Sequence, residues 1–170
     1  MFDEKIMKVF YDVYGAPLPR LAPGDEQSTR RALEVLYGED FAPPGPDFRV
    51  LDLGCGNGTQ TLRLVAELGC RVIAIDNHQP YLDELERRAE AEGVAHLVET
   101  RCEDMNALEV PAGSFDLAWA EGAPYIMGVA EALKVPDITR DDQIPPGCST
   151  NHNRRVNHIR RSRRAAGRSR

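Results

Sequence analysis

Apolar positions between residues 49 and 134 follow two alternating patterns. Short continuous apolar runs predict strands buried on both faces, and apolar residues that recur every three or four positions predict amphipathic helices. The predicted elements are, in order, strand 49–53, helix 59–68, strand 71–76, helix 80–91, strand 95–99, strand 115–120 and helix 125–134. This alternation predicts an α/β fold with a mostly parallel, doubly wound, Rossmann-like sheet.

The first 48 residues have a different pattern. Apolar residues at helical spacing predict amphipathic helices at 2–14 and 25–37. The intervening segment 15–24 is rich in proline and glycine and predicts a loop. We therefore expect an N-terminal helical cap over residues 1–48, followed by the α/β core over 49–135.

Residues 136–170 lack both patterns and predict a disordered tail. Eight arginines and no acid lie in 151–170, which leaves residues 1–150 with 13 basic and 27 acidic side chains, a net charge of −14. The tail is open to two interpretations: an arginine-rich arm for nucleic acid or an acidic surface, or a terminus translated from a shifted reading frame. The acidic body argues against nucleic acid as the main partner of the fold itself.

The composition, with 42% apolar and 28% charged residues, is typical of a globular domain. No apolar run approaches the ~18 residues that span a bilayer, and the N-terminus does not resemble a secretory signal, so we expect a cytoplasmic protein without a membrane partner. The four cysteines have no metal-ligand spacing, and no metal is expected.

The segment 50–58 reads Val-Leu-Asp-Leu-Gly-Cys-Gly-Asn-Gly and predicts a strand, a tight turn and a helix start. Glycine reaches backbone angles that side chains disfavour, and it allows a ligand to approach the main chain. A dinucleotide fingerprint would need glycine at position 59, where the chain has Thr59. The spacing therefore argues against a nicotinamide dehydrogenase.

This segment resembles motif I of the class I S-adenosylmethionine-dependent methyltransferases. The resemblance extends to Asp76, to Glu103-Asp104 and to the fourth motif at 115–122, and the front half is similar to the small-molecule branch that includes ubiquinone and menaquinone methyltransferases. It implies S-adenosylmethionine as cofactor and a small molecule as methyl acceptor.

The strand ends should converge on one edge of the sheet, where ligands bind in open α/β folds. There Asp76 could accept the ribose hydroxyls, Asp104 the adenine amino group, and Asp52 the ammonium group of the cofactor. The residues that we expect to contact the cofactor are Asp52, Gly54, Cys55, Gly56, Asn57, Gly58, Asp76, Asn77, Glu103, Asp104, Met105 and Ala120.

The remaining candidates concern the acceptor. Glu121 and His78 are the candidate general bases for an acceptor that must lose a proton. Trp119 and Tyr125 are candidate substrate contacts. The resemblance implies that the cap closes over the pocket and that Arg20 or Gln27 reaches the substrate or the cofactor carboxylate. We predict methyl transfer by in-line displacement; the alternatives are a non-catalytic module that binds the cofactor and a nucleic-acid-binding protein that uses its tail.

The family fold has seven strands in the order 3-2-1-4-5-7-6, and the chain matches this pattern only through the fourth strand. We therefore expect a sheet that is incomplete at the C-terminus, with the fourth strand as an open edge prone to self-association. Weak stability and poor activity of the isolated chain are expected for the same reason.

Overall fold

A computed structural model describes residues 4–105, 107–123 and 139. Along these residues the elements are α1 (Glu4–Val13), α2 (Glu26–Tyr37), β1 (Arg49–Leu53), α3 (Thr59–Leu68), β2 (Arg71–Asp76), α4 (Gln79–Ala91), a 3₁₀ turn (Ala95–Leu97), β3 (Val98–Cys102) and β4 (Leu117–Trp119). The alternation of strands and helices is confirmed, and most predicted boundaries agree within one or two residues.

The four described strands form one parallel sheet in the order β3-β2-β1-β4. Asp52 in β1 lies between Ala74 of β2 and Trp119 of β4. Cys102, the last residue of β3, pairs with Asp76, the last residue of β2. The predicted Rossmann-like order is therefore confirmed for these strands, and their carboxyl ends meet at one edge.

The predicted range of the third strand, 95–99, is wrong by three residues. Ala95–Leu97 form a 3₁₀ turn, and pairing begins at Val98, opposite Val72. After α4 the chain reaches the amino edge of the sheet, and the 3₁₀ turn reverses its direction before β3 pairs with β2. The shift places Glu103 directly after the strand end, beside Asp76.

The sheet has an apolar cluster on each face. On one face, α3 and α4 bury side chains such as Leu64 and Leu85 against Val50 and Val72. On the other face, the buried residues are Leu51, Leu53, Ile75 and Phe115, with Met105, Leu108, Val110 and Ala120 packed against them. Leu51 and Val50 point to opposite faces because strand side chains alternate, so the whole apolar run of β1 is buried.

Gly58 caps the start of α3 in a left-handed conformation with φ of 81°. A Cβ atom added at this position would overlap the side chain of Leu85 on α4. The third glycine of the turn therefore permits close packing between α3 and α4, in addition to the backbone angle that the sequence predicts.

The N-terminal helices contact the core in different ways. A capping box between Asp25 and Ser28 starts α2, whose Leu33 is fully buried in the cluster that also contains α3. In contrast, α1 leaves Val9 and Val13 about 60% exposed. Helix α1 is therefore the less firmly packed part of the cap.

The predicted helix at 125–134 and nearly all of the tail at 136–170 lie outside the described residues. Thr139 forms one isolated parallel bridge with Phe115, just before β4. This edge therefore has a backbone partner within the chain at one point, and self-association through β4 stays a prediction. None of the helices in the described ranges combines the length and apolarity needed to cross a bilayer.

Candidate functional site

The glycine turn is tied to the neighbouring strand by backbone hydrogen bonds. The N–H groups of Gly54 and Cys55 both donate to the carbonyl of Ile75, at 2.8 and 2.9 Å. The N–H of Glu103 donates to the carbonyl of Asp76 at 3.1 Å. The ends of β1, β2 and β3 are thus joined into one continuous edge, as the sequence predicts.

Asp76 is held at this edge by two backbone N–H groups. Its Oδ2 accepts from Gly56 and its Oδ1 from His78, each at 2.9 Å. Burial raises the pKa of Asp76, and these hydrogen bonds oppose the rise. The carboxylate orientation is therefore fixed before any ligand arrives, and each oxygen retains a further acceptor position.

Asp52 lies deeper than the sequence suggests, with no exposed surface. Its Oδ2 accepts from the Thr61 hydroxyl at 2.6 Å, whereas its Oδ1 has no hydrogen-bond partner within the described part of the chain. Burial, with a smaller contribution from the charges of Glu121 and Asp76, raises the pKa of Asp52 to about 7, although the Thr61 hydrogen bond opposes the rise. A buried carboxylate that lacks a partner is stabilised by a cationic donor.

The first two glycines of the turn face protein atoms. A Cβ atom at Gly54 would overlap Ala123 and touch Met105, and one at Gly56 would come within 3.0 Å of Leu21. Gly56 has a φ of 55°, which side chains disfavour. Burial raises the pKa of the Cys55 thiol well above its usual value, so Cys55 is a small neutral filler.

Residues 15–24, which we call the strap, cross the glycine turn. Asn57 Nδ2 donates to the carbonyls of Ala16 and Leu18 at 3.0 and 2.5 Å, and the Thr59 hydroxyl donates to Pro19 at 2.7 Å. Arg88 on α4 also donates to Leu18 and Pro19. This role of Arg88 was missed by the sequence analysis, because its partners are backbone carbonyls about 70 residues away.

Glu121 joins the strap, α2 and β4. Its carboxylate accepts from Arg20 in an ion pair, from the Thr29 hydroxyl at 2.9 Å and from Trp119 Nε1 at 3.3 Å. Arg20 Nη1 is buried without a partner among the described residues. Three predicted site residues, Arg20, Trp119 and Glu121, are thus brought together, and Thr29 is a member that sequence reasoning missed.

His78 contacts the cap. Its ring stacks on Tyr11 of α1 with ring centroids 3.7 Å apart, and the Tyr11 hydroxyl donates to Asn77 Oδ1 at 3.3 Å. Burial lowers the pKa of His78, although the charge of Asp76 acts in the opposite direction. The imidazole is therefore neutral at neutral pH, the form that can accept a proton.

The other predicted contacts are distributed around the same edge. Met105 reaches Gly54, Ala120 packs on the apolar cluster beneath, and Glu103 and Asp104 are exposed after β3. Tyr125 lies outside the described residues. Within the ranges that the structure covers, no group of acidic, histidine and cysteine side chains has the arrangement of a metal site.

These residues fit a cationic nucleoside such as S-adenosylmethionine. Asp52 Oδ1 has no partner among the described residues, and a cationic donor would stabilise it. On the neighbouring strand, backbone hydrogen bonds already orient the carboxylate of Asp76. Leu21 contacts the space above Gly56, so the strap forms a cover over the turn. A site with these acids suits an ammonium and a ribose better than a phosphate group.

Comparisons with known proteins identify the family of the chain. A family model described as "Methyltransferase domain" matches residues 50–135, about half of the chain. The chain belongs to this family, the class I S-adenosylmethionine-dependent methyltransferases, whose cofactor is S-adenosylmethionine.

Among curated proteins, the chain is 31% identical over 116 residues to a carboxy-S-adenosyl-L-methionine synthase of Enterobacter sp. (strain 638), covering 66% of the chain and 44% of that protein. It is 34% identical over 93 residues to the protein of that name in Klebsiella pneumoniae (strain 342), covering 53% of the chain and 34% of the relative. The matches thus span less than half the length of these relatives.

Two solved structures share the fold. YjhP from E. coli has a TM-score of 0.65 at 24% identity, covering 76% of the chain and 51% of that protein. A methyltransferase from Geobacter sulfurreducens, in complex with S-adenosyl-L-homocysteine, has a TM-score of 0.59 at 24% identity, covering 85% and 59%. At this identity the likeness concerns the fold alone.

Proposed function

We propose that this protein binds S-adenosylmethionine at the carboxyl edge of its sheet and supports methyl transfer to a small-molecule acceptor. The observation that carries the proposal is the buried, partnerless Oδ1 of Asp52 beside the preoriented carboxylate of Asp76. Both groups favour a ligand that brings a cation and hydroxyl donors to the same place.

The roles of the residues follow from their positions. Asp76 would accept the ribose hydroxyls, Asp52 would hold the ammonium group directly or through a water molecule, and the loop 103–105 would contact the adenine. Arg20 Nη1 would meet a carboxylate of the acceptor or of the cofactor. These assignments are supported by the strand-end geometry and by the family membership.

When bound, the cofactor supplies a methyl group activated by a positively charged sulfur. The protein then has to orient the acceptor and exclude water, which supplies much of the rate enhancement in such displacements. The strap suits the second task because it already covers the glycine turn. His78, whose lowered pKa keeps it neutral, is a candidate base for an acceptor that must lose a proton.

A second candidate is a module that binds the cofactor without turnover. The chain matches less than half the length of its curated relatives, and the residues that would complete the acceptor side are not described. Calorimetry with S-adenosylhomocysteine tests binding for both candidates. Radiolabelled S-adenosylmethionine with candidate acceptors separates them, since only the first predicts a labelled product.

Asp76→Ala tests the binding site directly. We expect the affinity for S-adenosylhomocysteine to fall about 100-fold, because two hydrogen bonds between a charged carboxylate and ribose hydroxyls are lost. Isothermal titration calorimetry measures this change. Asp47→Ala is the matched control, since Asp47 is an exposed loop acid outside the site. Equal affinities of the Asp76 variant and the unmodified chain would refute the site.

A further inference from the structure

The carboxylate of Glu121 has donors on both of its oxygens. Oε1 accepts from the Arg20 guanidinium, and Oε2 accepts from the Thr29 hydroxyl and the Trp119 indole. The ion pair is largely buried, with 11% of the Arg20 side chain and 19% of the Glu121 side chain exposed. The three donors come from the strap, α2 and β4, so one carboxylate joins three separate segments.

This arrangement opposes a role for Glu121 as a general base. Three donors among the described residues occupy the carboxylate and leave one acceptor position, on Oε1, beside the Arg20 guanidinium. A base would have to accept a proton at that position and then carry it. Protonation of Glu121 would end the ion pair and leave the Arg20 charge without its partner in a largely buried position. Arg20 cannot easily turn away, because its Nε also donates to the carbonyl of Ala22 at 3.2 Å.

The same arrangement determines how the strap lies. Leu21 follows Arg20 and contacts Gly56 of the glycine turn, and Ala22 lies so close to Gly122 that a Cβ atom there would overlap it. Arg20 is therefore fixed by Glu121 at the point where the strap crosses the turn. If this contact is released, the strap loses its anchor next to Leu21, whereas Asn57, Thr59 and Arg88 still hold carbonyls within residues 16–19.

We propose that Glu121 is a positioning residue, which fixes Arg20 and Thr29 and thereby seats the strap on the glycine turn. We call the contact of the strap with the glycine turn the seat. Its importance for ligand retention rests on the proposed function, since the strap would cover the cofactor. The contact itself can be measured without ligand.

Amide hydrogen exchange of the full 170-residue chain tests the seat. We expect Glu121→Gln to speed exchange in residues 15–24 roughly tenfold, because a charge-assisted hydrogen bond is lost. Thr29→Val should speed it by a smaller factor, and Thr29→Ser, which keeps the hydroxyl, should match the unmodified chain. Glu34→Gln is the control, since it removes ion pairs on the same helix whose arginine partners, Arg30 and Arg31, are more than half exposed.

Exchange in β1 and β2 reports in the same experiment whether a variant is folded. If Glu121→Gln also loses protection in these strands, the comparison of Thr29→Val with Thr29→Ser decides whether these contacts hold the strap. Unchanged strap exchange in folded Glu121→Gln would overturn the proposal. Equal exchange in Thr29→Val and Thr29→Ser would also overturn it.

Ligand kinetics separate the positioning role from a base. The proposal predicts that Glu121→Gln releases S-adenosylhomocysteine several-fold faster, while kcat keeps its pH profile. If Glu121→Gln abolishes the decrease of kcat at low pH and leaves the rate of ligand release unchanged, the proposal is overturned and Glu121 acts as a base. If the unmodified chain does not bind S-adenosylhomocysteine, the proposed function fails, and the exchange experiment still decides the role of Glu121.

Discussion

The carboxyl group of Asp52 lies in the interior, although the residue precedes a turn at the ligand-binding edge. Its pKa of about 7 results first from burial, and the charges of Glu121 and Asp76 add to the effect. Asp52 lies in β1 between β2 and β4, and its side chain meets Thr61 of α3, so the helix on this face of the sheet covers the carboxyl group. At the residue scale, burial therefore determines the pH at which this carboxyl group ionises.

Asp52 should make the stability of the chain depend on pH. The pKa of this carboxyl is about 7 in the folded chain and near its ordinary value of 3.8 in the unfolded chain. The folded chain therefore holds a proton that the unfolded chain releases between these values. The stabilisation from the protonated form is complete below pH 3.8 and is lost as the pH rises to about 7.

Asp52→Asn isolates this contribution, since asparagine is similar in shape and does not titrate. The free energy of unfolding of the unmodified chain, minus that of the variant, should fall by about 2–4 kcal/mol between pH 4 and pH 8. Urea denaturation at several pH values measures the difference. Asp76 and His78 titrate in both proteins, so their contributions cancel in this difference to first order. If the two free energies of unfolding change with pH in parallel, the raised pKa of Asp52 is wrong.

At the scale of elements, the third glycine of the turn connects two helices. Gly58 starts α3, and Leu85 of α4 occupies the space that a side chain would need. The sequence assigns this glycine to the cofactor, and that role stays a prediction. The geometry adds a packing role, which explains why α3 and α4 can lie side by side over β1 and β2.

Gly58→Ala should destabilise the fold by about 2–4 kcal/mol, because overpacking against Leu85 adds to the strain of a left-handed alanine. Gly93→Ala is the matched control. Gly93 also has a positive φ, of 73°, but no atom lies within 4 Å of its Cβ position. The control should therefore lose only about 1–2 kcal/mol. Similar losses in thermal denaturation of the two variants would refute the packing role.

At the scale of the whole molecule, the cap is attached to the core at a few polar and aromatic points. Tyr11 stacks on His78, the Tyr81 hydroxyl donates to the carbonyl of Tyr14 at 2.5 Å, and Glu121 holds the strap. Few apolar residues of α1 are buried. Regions with few buried contacts open before the core does.

Tyr11→Ala should release α1 without unfolding the core. We expect amide exchange in residues 4–13 to speed about tenfold, because an aromatic stack of about 1 kcal/mol and a hydrogen bond are lost. Exchange in β1 and β2 should not change. Val9→Ala is the control, because Val9 is 60% exposed on the same helix. Equal protection of α1 in both variants would show that Tyr11 does not anchor it.

Much of the fold is readable from local patterns. The strands and helices from 49 to 91 are predicted almost to the residue, because periodic apolar positions and the glycines at 58 and 69 define their ends. The start of β3 is missed, since its position depends on alignment with Val72 in a neighbouring strand. Local sequence contains no information on such a register.

The site divides in the same way. The strand-end acids and the glycine turn are predicted, because chain order places them at one edge of a parallel sheet. Two of the three described partners of Glu121, Arg20 and Trp119, are predicted as site residues. The third, Thr29, has no feature in the sequence that distinguishes it from other helix residues. Its contact with Glu121 spans 92 residues and exists only once α2 has packed on α3.

The sequence by itself determined the class of fold, the family and the cofactor edge, because each rests on residues close together in the chain. Only the tertiary structure decided the burial and pKa of Asp52, the seat of the strap and the partners of Glu121. Burial and long-range hydrogen bonds depend on which segments pack together, and that packing is set by the whole apolar surface rather than by any single motif.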